Sequence, residues 1–313
     1  MPVPSSSSRV LMLVAAAACW GVGTVVTKQV LADVAPLVLL PVQLGASCLF
    51  LVVVSRLGRT RITWSRQLRR LTALGVLNPG LAYALGLLGL ASISASMSVL
   101  LWTSEPVLIL LLAVLLLREH VPAALALLMA AAVVGVLLVV YEPGVEGSGA
   151  GVALTLGAVA ACALYTVLAR RLLLDDASVS VALLQQVAAL VFALLVLGCA
   201  ALVTGGSPGT SSLSGGTWLA AAGSGILYYG LAFWLYLSAL RGVTASVAGS
   251  FITLVPVFGI AAGHAVGERL AERQWVGAVL VVLAMVLVSV RQARAADRPV
   301  PSRQRSRGQA PTA

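Results

Sequence analysis

Apolar residues run through this chain in stretches of about 20, and the breaks between them are short and polar. The stretches fall at 9–28, 36–55, 71–90, 95–117, 121–141, 151–170, 177–203, 217–240, 243–266 and 273–291. A helix rises about 1.5 Å per residue, so roughly 20 residues cross the hydrocarbon core of a bilayer. The pattern predicts an all-α integral membrane protein with ten transmembrane helices. The breaks carry turn or charge signals: Ala32 with Asp33, "RLGRTRITWSRQLRR" (56–70), "REHVP" (118–122), "EPGVEGSG" (142–149), "LLDDAS" (173–178), "TGGSPGTSSLSGGT" (204–217), and Arg241 with Gly242. The basic, apolar-poor segment 292–313 reads as a disordered cytoplasmic tail.

Composition agrees with the pattern. Of 313 residues, 60% are hydrophobic and 10% are charged, against about a quarter charged in a soluble domain. The net charge of +10 raises nucleic acid as a partner, but the arginines cluster in loops and tail, where they orient a membrane protein. With the N-terminus in the cytoplasm, 17 Lys and Arg fall inside, and Lys28, Arg269 and Arg273 fall outside. The asymmetry predicts a multi-pass protein of the cytoplasmic membrane with both termini cytoplasmic. Residues 9–19 imitate a signal peptide, but the apolar run continues to Val26, which argues against cleavage. Cys19, Cys48, Cys162 and Cys199 lie inside predicted helices without metal-ligand spacing. They read as packed thiols, and neither a metal nor a cofactor is expected.

The halves repeat. At an offset of 150, "GLAYALGLLGLASISASMSVLLWTSEPV" (80–107) lies over "GLAFWLYLSALRGVTASVAGSFITLVPV" (230–257), matching Gly80, Leu81 and Ala82 with Gly230, Leu231 and Ala232, and Pro106 with Pro256. At an offset of 143, "AACWGVGTVVTK" (17–28) lies over "AACALYTVLARR" (160–171), and Gln43 meets Gln186. The repeats are 9–141 and 151–291. Each holds five helices. Five is odd, so the second copy enters the membrane from the other side, which makes an inverted repeat.

In these features the chain resembles the EamA family of the drug/metabolite transporter superfamily, over about residues 10–291. The resemblance rests on two five-helix repeats, each with a proline followed 12 or 13 residues later by a glutamate: Pro106 with Glu119, and Pro256 with Glu268 in "GERL" (267–270). Arg118 replaces the usual glycine of the first copy, and Gln43 stands near a frequent family arginine. The resemblance implies a cytoplasmic-membrane carrier, typically an exporter of metabolites, amino acids or drugs.

Several residues could serve a solute. Pro106 and Pro256 lack an N–H and are expected to kink their helices beside a central space. Trp20, Tyr83, Trp102, Tyr165, Phe233, Trp234 and Tyr236 lie at similar depths and could wall an amphipathic molecule. Gln43 and Gln186 need partners within the bundle. Glu119, His264 and Glu268 read as helix-end residues, with His264 and Glu268 four apart and expected to pair. Gly259, Gly263 and Gly267 form a small-xxx-small pattern that predicts close packing within the chain and leaves both monomer and homodimer open.

Glu105 is the sharpest candidate. It falls near the middle of 95–117, at the bilayer midplane, where a charged residue costs about 2.5–3.5 kcal/mol. Its repeat partner is Val255, so the repeat does not demand a carboxylate. Glu105 is expected to face the cavity and to bind a cationic part of the solute or exchange it for a proton. An intramembrane enzyme would need a nucleophile–base pair or metal ligands, and the chain has two histidines and neither H-E-x-x-H nor G-x-S-x-G. The expected function is secondary export of a small molecule across the lipid bilayer. Uptake, exchange, and a non-transporting receptor or structural role are the alternatives.

Overall fold

In hydrocarbon a backbone amide finds no water, so each spanning segment must close its hydrogen bonds within itself. The computed structural model describes residues 6–58, 65–117, 122–140, 148–170, 179–204, 214–240 and 251–296, and among them the regular structure is helical, with no strand. The first repeat contains α1 (Ser6–Val30), α2 (Pro36–Leu57), α3 (Arg66–Ala73), α4 (Ala82–Ser92), α5 (Ala95–Trp102), α6 (Glu105–Leu117) and α7 (Ala123–Val140). The second contains α8 (Ser148–Arg170), α9 (Val179–Thr204), α10 (Gly215–Gly225), α11 (Ala232–Leu240), α12 (Val255–Ala265) and α13 (Glu272–Ala296). Six helical stretches are long and apolar enough to cross a membrane, beside shorter apolar helices such as α12. Large apolar side chains stand on the outside, among them Leu202, Val203 and Leu219, at 85%, 87% and 76% exposure. So much bare apolar surface suits lipid and not water.

Local chemistry sets the ends. Pro36 opens α2, where its missing N–H costs nothing. Ser65 caps α3 by accepting from the Leu68 amide at 3.0 Å, and Ser214 caps α10 from Thr217 at 3.1 Å. α3 runs on to α4 through a 3-10 turn (Leu74–Val76) and a kink within Leu77–Leu81, where Asn78 is extended (φ −145°, ψ 119°), whereas α10 reaches α11 through a π turn (Ile226–Leu231). The expected helix 71–90 thus starts earlier, at Arg66, and is interrupted at Asn78. α13 runs on to Ala296, five residues past the expected end.

The expected helix 95–117 is two helices. α5 stops at Trp102, Thr103 and Ser104 form a turn, and α6 starts at Glu105. Carbonyls near the break are met by hydroxyls: Thr103 Oγ1 donates to Leu100 and Ser104 Oγ to Leu101, the latter at 2.6 Å. A matching turn at 253–254 precedes Val255. Pro106 and Pro256 each stand second in a new helix, where proline is well tolerated. The expected kinks are therefore breaks.

Contacts between the repeats come in reciprocal pairs. α4 packs on α8, and α1 on α11. α1 also packs on α12, and α8 on α6; α2 packs on α10, and α9 on the kinked segment Leu77–Leu81 before α4. α2 meets its own counterpart α9, and α7 meets α13. Glycines show the pairing residue by residue. A Cβ on Gly225 would strike the backbone of Gln43, and one on Gly75 the backbone of Gln185. Gly230 faces Phe50, and Gly80 faces Phe192. Gly135 and Gly277 face each other, each Cβ position lying within 3 Å of the other's carbonyl oxygen. The partner of Gln43 in this packing is Gln185, so the pairing with Gln186 is off by one residue: the two glutamines are adjacent, and only the glycine contact separates them.

Candidate solute site between the repeats

Thr24 and Thr27 on α1, Tyr83, Gly86, Leu87 and Leu90 on α4, and Ser98 and Trp102 on α5 bound a cavity. The second repeat closes it with Tyr228 and Tyr229, from the π turn. π turns often mark functional sites because they present side chains out of helical register. Tyr83 is the hub of the ring cluster: its centroid is 6.0 Å from Trp102, 6.0 Å from Tyr228 and 4.8 Å from Tyr229. The volume is about 30 Å³, room for water and far below the few hundred Å³ of a pocket holding a small molecule. A solute needs the walls to part.

Below the rings stands Glu105, partly buried. Cys162 Sγ donates to its Oε1 at 3.3 Å, and Thr166 is also hydrogen-bonded to it. Tyr83, Tyr228 and Tyr236 lie within its electrostatic reach. Glu105, expected to face a cavity, is not among the residues that bound this one. The helix break explains this, because Glu105 opens α6, which packs on α8.

The amides form the polar spine. Gln43 is fully buried, and its Nε2 donates to Thr27 Oγ1 at 3.1 Å and Ser224 Oγ at 2.8 Å. Ser224 Oγ itself donates to Ala221 O, which makes it the acceptor here, and Gln43 Oε1 has no partner among the described residues. Gln186 accepts from Ser47 Oγ at 2.5 Å and donates to Tyr229 O at 2.9 Å. Gln185 accepts from Tyr165 and donates to Leu71 O, each at 3.0 Å. Each amide joins the two repeats.

Other expected residues stand further off. Trp20 packs on Phe233 and Tyr236, at 5.4 and 5.5 Å, and Trp234 on Phe50 at 6.4 Å. Glu119 lies outside the described residues. Glu268 lies beyond the end of α12 and does not pair with His264: its carboxylate accepts from the Ala95 and Ser96 amides of α5, at 2.7 and 2.9 Å, and from Ser96 Oγ at 2.6 Å. The helix that would have set Glu268 over His264 ends at Ala265. Of the glycines, Gly259 packs on Val99 and Gly263 on Ser96, but Gly267 has open space and a φ of 98°, so it serves the turn and not a helix contact. Cys48 and Cys162 are buried as expected, whereas Cys199 is exposed.

Sequence reasoning missed Tyr228, Tyr229, Thr24, Thr27, Ser98 and Cys162. One signal could have found the first two. "GVLNPGLA" (75–82) repeats as "GILYYGLA" (225–232), and the positions that differ most, Asn78 and Pro79 against Tyr228 and Tyr229, fall in the kink of the first copy and the π turn of the second.

Fold and site together define a multi-pass membrane protein with an aromatic-walled polar space held between two helical repeats. The EamA-like transporter family model matches residues 7–141 and 149–290, and the chain belongs to that family. No curated protein matches the sequence. A solved crystal structure of a protein superposes with a TM-score of 0.62 over 93% of this chain and 99% of the other, at 18% identity. That likeness is one of fold.

Proposed function

We propose that this protein is a secondary active transporter of the cytoplasmic membrane that exports small metabolites, amino acids or drugs. Ten transmembrane helices in two inverted repeats rock about the aromatic space, with both termini cytoplasmic. The observation that carries the reading is the cavity itself: it lies between the repeats, its wall comes from both, and Glu105 is within electrostatic reach of its Tyr83 and Tyr228. The reciprocal contacts of α1 with α11 and α4 with α8 support the inverted repeat. A solute seated there must part Tyr83 from Tyr228 and Tyr229, and it would bring polar groups to Gln43 Oε1 and the Glu105 side. Glu105 is the coupling group in this reading. It exchanges a proton for a cationic part of the solute as access alternates.

Growth of an export-deficient host across a panel of amino acids and organic cations finds a transported solute. In proteoliposomes loaded with that solute, Glu105→Gln keeps the fold and loses the pH dependence of transport. If the Gln protein transports like the wild type at every pH, Glu105 is a structural residue. If no panel member is moved, the reading shifts to a receptor or structural role.

A further inference from the structure

The corner between α4 and α5, residues 93–94, is held from two sides. From α1, Lys28 Nζ donates to Leu90 O at 2.9 Å and Ala91 O at 3.1 Å, carbonyls in the last turn of α4. From the second repeat, Glu268 accepts three hydrogen bonds from Ala95 and Ser96, in the first turn of α5. Both charges suit the helix ends they face, and Lys28 and Glu268 attract each other.

The approach of Glu268 is built in. Gly267 turns the chain at φ 98°, and the Glu268 amide donates to Gly263 O at 2.9 Å. A side chain at Gly263 would meet the carboxylate, since its Cβ would lie 2.6 Å from Glu268 Oε2. α5 does not need Glu268 in order to form. Ser94 already caps it, accepting from the Met97 amide at 3.1 Å. What Glu268 adds is a tie from one repeat to the other. Both Glu268 and Lys28 are partly exposed, so water can replace their bonds when they part. Leu90, Thr27 and Ser98, beside these contacts in sequence, line the cavity.

We propose that Glu268 is a latch between the repeats, closing the Lys28 end of the cavity, and that its release from Ala95 and Ser96 opens the cavity at that end. The latch positions α5, whose Ser98 and Trp102 wall the site. It stands apart from the proposed chemistry of Glu105 and requires no knowledge of the solute.

The test is thiol labelling of the full chain in membrane vesicles, with Cys19, Cys48, Cys162 and Cys199 replaced. One reporter is Ser98→Cys, 2% exposed in the cavity wall, and the other is Ala132→Cys, fully buried in the α7–α13 core. With Glu268 present, an impermeant maleimide reacts slowly at both. Glu268→Gln raises the rate at position 98 by at least about tenfold, as expected when charge-assisted hydrogen bonds are weakened, and leaves position 132 unchanged. An unchanged rate at 98 overturns the latch. A rise at both positions also overturns it, because Glu268 then only stabilises the bundle. If the Gln protein fails to insert, Glu268→Asp, too short to reach both amides, is judged by the same criteria.

Discussion

At the scale of single residues, the glycines that face backbone carry much of the packing. Gly225 has no room for a methyl group against Gln43, whereas Gly198 on α9 meets nothing within 4 Å. Gly225→Ala should therefore lower stability by about 1–3 kcal/mol, the usual cost of overpacking. Gly198→Ala should be neutral or slightly stabilising, because alanine is the better helix former. Thermal unfolding in detergent separates the two; equal melting temperatures would mean that α10 can retreat from α2 without loss. The sequence marked Gln43, Tyr83 and Trp102 because an amide or a ring in an apolar run is conspicuous. It could not mark Thr24, Thr27 or Ser98, since small hydroxyls are common in membrane helices and their importance depends on the neighbour they meet. Glu268 was visible as a residue but not by its partner, which lies more than 170 positions earlier in the chain.

At the scale of elements, the long apolar runs were legible and their interruptions were not. An apolar run says that a segment crosses lipid, yet α5 and α6 are parted by only two residues, Thr103 and Ser104, just before Pro106. Replacing Thr103 by Val and Ser104 by Ala removes the donors that meet Leu100 and Leu101. Interhelical and backbone hydrogen bonds in lipid are worth about 0.6–2 kcal/mol each. The double variant should unfold at a lower temperature and should also lose transport, because Trp102 and Glu105 flank the break. A variant that keeps both stability and transport would show that the break is maintained by Pro106 alone. The kink and the π turn were hidden for a related reason: "GVLNPGLA" and "GILYYGLA" lie inside long apolar runs, and the signals are the repeated glycines and the Asn78-Pro79 pair.

At the scale of the whole molecule, orientation follows from arginines and not from packing. The proposed inverted repeat would put Trp64 inside and Ser207 outside, both beyond the described residues. Single cysteines at 64 and 207, in a chain otherwise free of cysteine, should label oppositely with an impermeant reagent applied to intact cells. Equal labelling from outside would remove the ten-helix topology and, with it, the inversion. The repeat itself was legible because prolines and glycine triplets recur at fixed offsets; its exact register was not, since leucine matches leucine at almost any shift.

One contact sets how such a molecule can move. Gly135 and Gly277 face each other across α7 and α13, and each is the other's counterpart in the repeat. A point that an exchange of halves carries onto itself does not travel. In the proposed exchange of shapes between the repeats, this crossing would be the fulcrum, and displacement would grow with distance from it. A bulky side chain at the fulcrum would not favour one opening over the other; it would lift both lever arms off their seat.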